Sequence, residues 1–74
     1  MKLSDIPDGK RVRIVGVEND EYTARKLFGL GVKPAALVKV VRRAPFGTPV
    51  EITAGGTRIA IGRGEADKIT VENE

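Results

Sequence analysis

Apolar positions change their spacing inside one stretch of the chain. Ala24, Leu27 and Phe28 recur at the spacing of one helix face, and Gly31 stands where a helix ends in a left-handed residue. Beyond Pro34 the spacing becomes that of a strand, with Val38 and Val40 two apart. The connector Ala44-Pro45-Phe46-Gly47-Thr48-Pro49 then reverses the chain into a second alternating run, Val50-Glu51-Ile52. The pattern predicts one short helix feeding a β-hairpin.

On either side the alternation predicts further strands. Leu3 and Ile6 read as an apolar lid over one end of the core, and Pro7-Asp8-Gly9 as a turn. A first strand covers Lys10 to Val17, with Val12 and Ile14 on one face and Arg11 and Arg13 on the other. Its phase slips at Val15-Gly16-Val17, which predicts a β-bulge near Gly16. Asn19 or Asp20 is placed to cap the helix, and Ala24, Leu27 and Phe28 are expected to form its buried stripe, with Leu30 completing the last turn. Gly29 inside that turn costs about 1 kcal/mol relative to alanine, which points to a close backbone approach from inside or outside the fold.

Strand two runs from Leu37 to Arg43, with Val38 and Val40 inward and Lys39, Val41 and Arg43 outward. Strand three is Pro49 to Ala54, Gly55-Gly56 is a two-residue hairpin loop, and strand four is Thr57 to Gly62. A single turn at Gly64–Asp67 leads to strand five, Lys68 to Glu72. Five short strands can bury Val12, Ile14, Val38, Val40, Val50, Ile52, Ile59, Ile61, Ile69 and Val71 together only if the sheet curls. The expected fold is mainly β: a small SH3-like five-stranded barrel over residues 1–74, with one short α-helix between strands 1 and 2.

Composition narrows the chemistry. The 74 residues include no histidine and no cysteine, which removes nucleophile–histidine catalysis, thiolate chemistry and any histidine or cysteine metal site. Glu18, Asp20 and Glu21 cluster, and Glu65 and Asp67 flank a turn, but neither group has the spacing of a calcium loop. They read as caps and solvated charges, so no catalytic residue, metal ligand or cofactor is expected. No stretch approaches the ~20 apolar residues of a membrane span, and a cysteine-free chain is compatible with the cytoplasm.

Thirteen basic against ten acidic residues give a net charge of +3, a mild positive bias. Arg11, Arg13, Arg42, Arg43, Arg58 and Arg63 are the candidates for a basic strip that binds nucleic acid. Against this, Tyr22, Phe28 and Phe46 are the only aromatics, few for a barrel that stacks bases. Phe46, between Pro45 and Pro49, is suited either to anchoring in a partner's pocket or to plugging the barrel end.

Several segments taken together resemble a known family. Leu3-Ser4-Asp5-Ile6-Pro7-Asp8-Gly9, then Leu30-Gly31-Val32-Lys33-Pro34, the connector from Ala44 to Ile52, and Ile59-Ala60-Ile61 before Glu65-Ala66-Asp67-Lys68-Ile69 resemble FeoA proteins over essentially the whole chain. The resemblance implies a cytoplasmic accessory of bacterial ferrous-iron transport. Its partner would be FeoB, the membrane transporter with a cytoplasmic GTPase domain, with room for a third Feo component and no role for nucleic acid. It places the contact surface on the helix, the turn through Pro34 and the proline connector: Tyr22, Leu27, Leu30, Val32, Pro34, Pro45, Phe46 and Pro49. The same module resembles the C-terminal domain of DtxR-type repressors, which keeps a regulator-associated basic module as the alternative. Family members commonly carry glycine where this chain has Ala35. A type II turn would be strained there, so a type I turn is expected.

Overall fold

The computed structural model describes every residue except Asn19, so the expectation that Asn19 shares the helix cap lies outside the described residues. A 3₁₀ turn at Leu3–Asp5 is followed by β1 (Arg11–Val17), α1 (Glu21–Gly29), β2 (Leu37–Arg43), β3 (Val50–Ala54), β4 (Thr57–Ile61), a short α2 (Arg63–Ala66) and β5 (Ile69–Asn73). The strands form one antiparallel sheet in the order β4-β3-β2-β1-β5. All ten apolar side chains expected inside are buried in one cluster, which a flat sheet would spread over a plane. The sheet therefore curls around them, although among the described residues no ladder joins β4 to β5. Leu3 and Ile6, at 0% and 2% exposure, close one end as the lid.

Two ladders of the curl carry local irregularities. The register between β1 and β5 shifts between Ile14 and Gly16, which is the bulge the phase slip predicts. A second shift lies between Val40 and Arg42 on β2, where no glycine announces it. It reverses the facing of the end of the strand: Arg43, expected outward, stands opposite the buried Val50. Its guanidinium turns under the N-terminal lid instead. It donates to the Ser4 carbonyl at 2.7 Å and to the Ile6 carbonyl, and lies 3.6 Å from the Asp8 carboxylate. Arg43 thereby stitches the lid to the sheet with charge-assisted bonds.

Helix α1 starts on Asp20, whose carboxylate accepts from the Thr23 N–H at 3.0 Å and the Thr23 hydroxyl at 2.7 Å. It ends in a Schellman motif: Gly31, at φ 95°, donates to the Phe28 carbonyl, and Val32 donates to the Leu27 carbonyl. The apolar contact that accompanies this motif is Leu27 against Val32, each 1% exposed. The buried stripe is correspondingly narrow. It consists of Thr23 and Leu27, one turn apart, while Phe28 and Leu30, expected inside, are 59% and 45% exposed. With Leu27 facing the sheet, Phe28 is carried about 100° round the helix toward solvent.

After the helix the chain turns at Lys33–Ala36, where the Ala36 N–H donates to the Lys33 carbonyl at 3.0 Å. Ala35 has φ 74°, so this is the strained type II turn and not the expected type I. Ile14 holds it in place. The Ala35 N–H donates to the Ile14 carbonyl, the Ile14 N–H donates to the Ala36 carbonyl, and both bonds measure 2.8 Å. A type I turn would flip the Pro34–Ala35 peptide and point the Ala35 N–H away from Ile14. The Gly55-Gly56 loop is a two-residue hairpin with positive φ at both glycines, which matches the twist of β3 and β4.

Candidate partner-binding surface

Apart from Met1, Val15 and Tyr22, the large exposed apolar side chains lie in two places, at opposite ends of β2. At its start are the helix exit and the Pro34 turn. Leu30, Pro34 and Leu37 are exposed there, and the ammonium of Lys33 sits 5.4 Å above the Phe28 ring. Tyr22, 79% exposed, stands at the other end of the helix. Phe28, expected in the core from its spacing, is a surface residue that sequence reasoning missed. So short a helix carries no sequence signal that fixes which side its stripe faces.

At the far end of β2, about 20 Å along the strand at ordinary rise, is the proline connector. Phe46 is 91% exposed, so it does not plug the barrel end. The loop beneath it is held by its own backbone: Ala44 donates to the Pro49 carbonyl at 3.1 Å and Gly47 to the Ala44 carbonyl at 2.7 Å. Pro45 and Pro49 flank it, both exposed. Of the eight residues singled out for partner contact, Tyr22, Leu30, Pro34, Pro45, Phe46 and Pro49 are accessible. Leu27 and Val32 are buried in the helix-exit motif and shape that end without being exposed on it.

The charged residues are largely engaged with one another. Arg11 pairs with Glu74, Arg13 with Glu72, and Arg42 and Arg58 both with Glu51, while Arg43 is turned under the lid. Five of the six arginines proposed for a nucleic-acid strip thus face carboxylates or backbone carbonyls, which removes most of the field such a strip needs. The acids of the proposed cluster are also spoken for. The hydrogen bonds from Lys2 and the Thr70 hydroxyl hold the Glu18 carboxyl below its usual range. The Asp20 carboxyl is pushed far down, first by the hydrogen bond from Lys68 at 2.7 Å and then by its capping bonds with Thr23. Glu21 pairs with Arg25 along the helix. No pocket and no group of three carboxylates disposed to hold a metal ion occurs among the described residues.

A curled five-stranded sheet with a helix after its first strand belongs to the SH3-like class of small β proteins. The family model of the FeoA domain matches residues 1–73, so the chain belongs to the FeoA family. Among solved structures, it is 37% identical to the FeoA protein of Chlorobium tepidum, with a TM-score of 0.91, over 99% of this chain and 70% of that one. Iron(II) transport protein A of Clostridium thermocellum is 36% identical, with a TM-score of 0.91, over 99% of this chain and 45% of that one. Stenotrophomonas maltophilia FeoA, solved with zinc, is 29% identical, with a TM-score of 0.82, over 97% of this chain and 89% of that one. A manganese-dependent transcriptional repressor shares the fold at 17% identity and a TM-score of 0.89, over 100% of this chain and 41% of its own. No curated protein matches the chain.

Proposed function

We propose that the chain is a non-catalytic cytoplasmic adaptor of ferrous-iron transport. It docks on the cytoplasmic GTPase domain of an FeoB-type transporter and reaches the membrane only through that partner, with a third Feo component as a further member of the complex. Membership of the FeoA family supports the transport role, as does a relative put forward as a ferrous iron transport activating factor. No helix among the described residues is long and apolar enough to cross a membrane. The observation that carries the docking reading is Phe46, an exposed aromatic ring on a loop stiffened by two prolines and its own hydrogen bonds. A ring presented this way loses little conformational freedom when it enters a partner's pocket.

The test is co-purification with an FeoB cytoplasmic domain in each nucleotide state. Phe46→Ala removes a side chain that makes almost no internal contacts, so it should change folding stability by less than about 0.5 kcal/mol while abolishing retention. Leu30→Asp examines the helix-exit end in the same assay. Absence of association with full-length FeoB in every nucleotide state would remove the proposal.

A further inference from the structure

The two edges of the sheet are treated differently. The outer edge of β5 is covered by the chain itself: Lys2 bridges to Thr70, and the Val71 N–H donates to the Met1 carbonyl at 2.8 Å. The outer edge of β4 has no such cover among the described residues. The two-residue loop makes Ala54 and Thr57 a hydrogen-bonded pair, and the alternation then runs outward along the register to Ile52–Ile59 and Val50–Ile61. Thr57, Ile59 and Ile61 therefore spend their backbone groups on β3. Arg58 and Ala60, both exposed, point their N–H and C=O away from the sheet.

We propose that this edge pairs with the same edge of a second copy of the chain, antiparallel about Ile59. Only pairings between outward-facing residues satisfy the backbone, which leaves three symmetric registers. One centred on Arg58 sets two guanidinium groups directly opposite each other. One centred on Ala60 calls on Gly62, whose carbonyl already accepts from Ala66 and whose N–H faces the Glu65 carboxylate. The register about Ile59 sets Arg58 opposite Ala60 of the second copy, each exchanging N–H···O bonds with the other, and repeats the pair by symmetry. It also brings Ile59 of both copies side by side on the inner face. Ile59 is the most accessible apolar residue of the core at 8%, and the pairing covers it.

Charge selects the same register. Glu51 stands opposite Ala60 on β3, and Arg58 already lies 3.7 Å from it diagonally within one copy. In the pair, Arg58 of the second copy falls in line with Ala60 and Glu51, two strand spacings or about 9.6 Å from Glu51. Ala60 has only a methyl group to place between them. Arginine and glutamate extend toward each other over it, twice per dimer. A five-residue edge makes a small interface, so the association is weak and driven by concentration.

The experiment uses the whole chain, with sedimentation velocity and amide exchange measured from micromolar to millimolar concentration. The expected result is a rise in sedimentation coefficient, with slowed exchange at the Arg58 and Ala60 amides over the same range. Arg58→Glu alone and Glu51→Arg alone should each stay monomeric at the highest concentration, because each sets like charges across the pair. Their equimolar mixture should associate, since the carboxylate introduced in one variant then meets the guanidinium introduced in the other. This arm controls for misfolding of either variant. A chain monomeric throughout, with those amides exchanging fast, overturns the proposal. So does protection of the amides without association, which would assign the edge to another strand, or single variants that associate like the parent.

Discussion

Replacing Ala35 with glycine should make the protein more stable. Ala35 holds a left-handed backbone at φ 74° because its own N–H bonds to the Ile14 carbonyl and the Ala36 carbonyl accepts from the Ile14 N–H, which fixes the chain just before and just after it. That conformation costs a residue with a Cβ about 1–2 kcal/mol. Glycine removes the cost and gives back about 0.4–1 kcal/mol through the greater freedom of the unfolded chain. Ala35 is exposed, so no apolar contact is lost with its methyl group. The balance is a gain of roughly 0.5–1 kcal/mol. At about 2.1 cal/mol/K per residue, a chain of this length unfolds with an entropy near 0.16 kcal/mol/K, so Tm should rise by about 3–6 °C. Calorimetry of Ala35→Gly beside Ala35→Val makes the comparison, with the β-branched variant falling below the parent. A glycine variant that melts at or below the parent temperature would show that the turn is not held as described.

Three further outcomes rest on the local geometry. The folded-state pKa of Asp20 lies below its ordinary 3.8, so its stabilisation is complete above that pH and is lost as pH falls through the depressed value. The gap in Tm between the parent and Asp20→Asn should therefore hold from neutrality to about pH 4 and close below it, as read from thermal melts across pH. Arg43→Met leaves the carbonyls of Ser4 and Ile6 without their donor and should cost about 1–3 kcal/mol in urea unfolding. Arg43→Lys should recover only part of this, because an ammonium lacks the fork that reaches both. Gly29→Ala should gain about 1 kcal/mol, since a Cβ there meets nothing within 4 Å.

That open space also answers a question posed by the sequence. No approach from inside the fold explains Gly29, so helix propensity alone was legible there and its reason was not. The strands were legible because the buried valines and isoleucines alternate with polar residues, and Gly16 marked its bulge. The bulge after Val40 was not, because a phase change among Val40, Val41, Arg42 and Arg43 looks the same as an unbroken strand carrying one outward valine. Arg43 consequently reads as facing the wrong way. Phe28 misleads for a related reason: a nine-residue helix with a single buried turn gives too few positions to fix which way its stripe faces. At Ala35, local preference favours one turn and the bonds to Ile14 impose another, a contest that no short segment reveals. The exposed ring of Phe46 was one of two open readings, and burial decided it.

The helix exit and the proline connector sit at opposite ends of β2, so a partner that meets only one of them leaves the other open. A partner that grips Phe46 alone leaves Phe28, Leu30 and Leu37 free for a second body. The barrel then acts as a spacer one strand long, able to hold two neighbours at a set separation without making them compete for the same side chains.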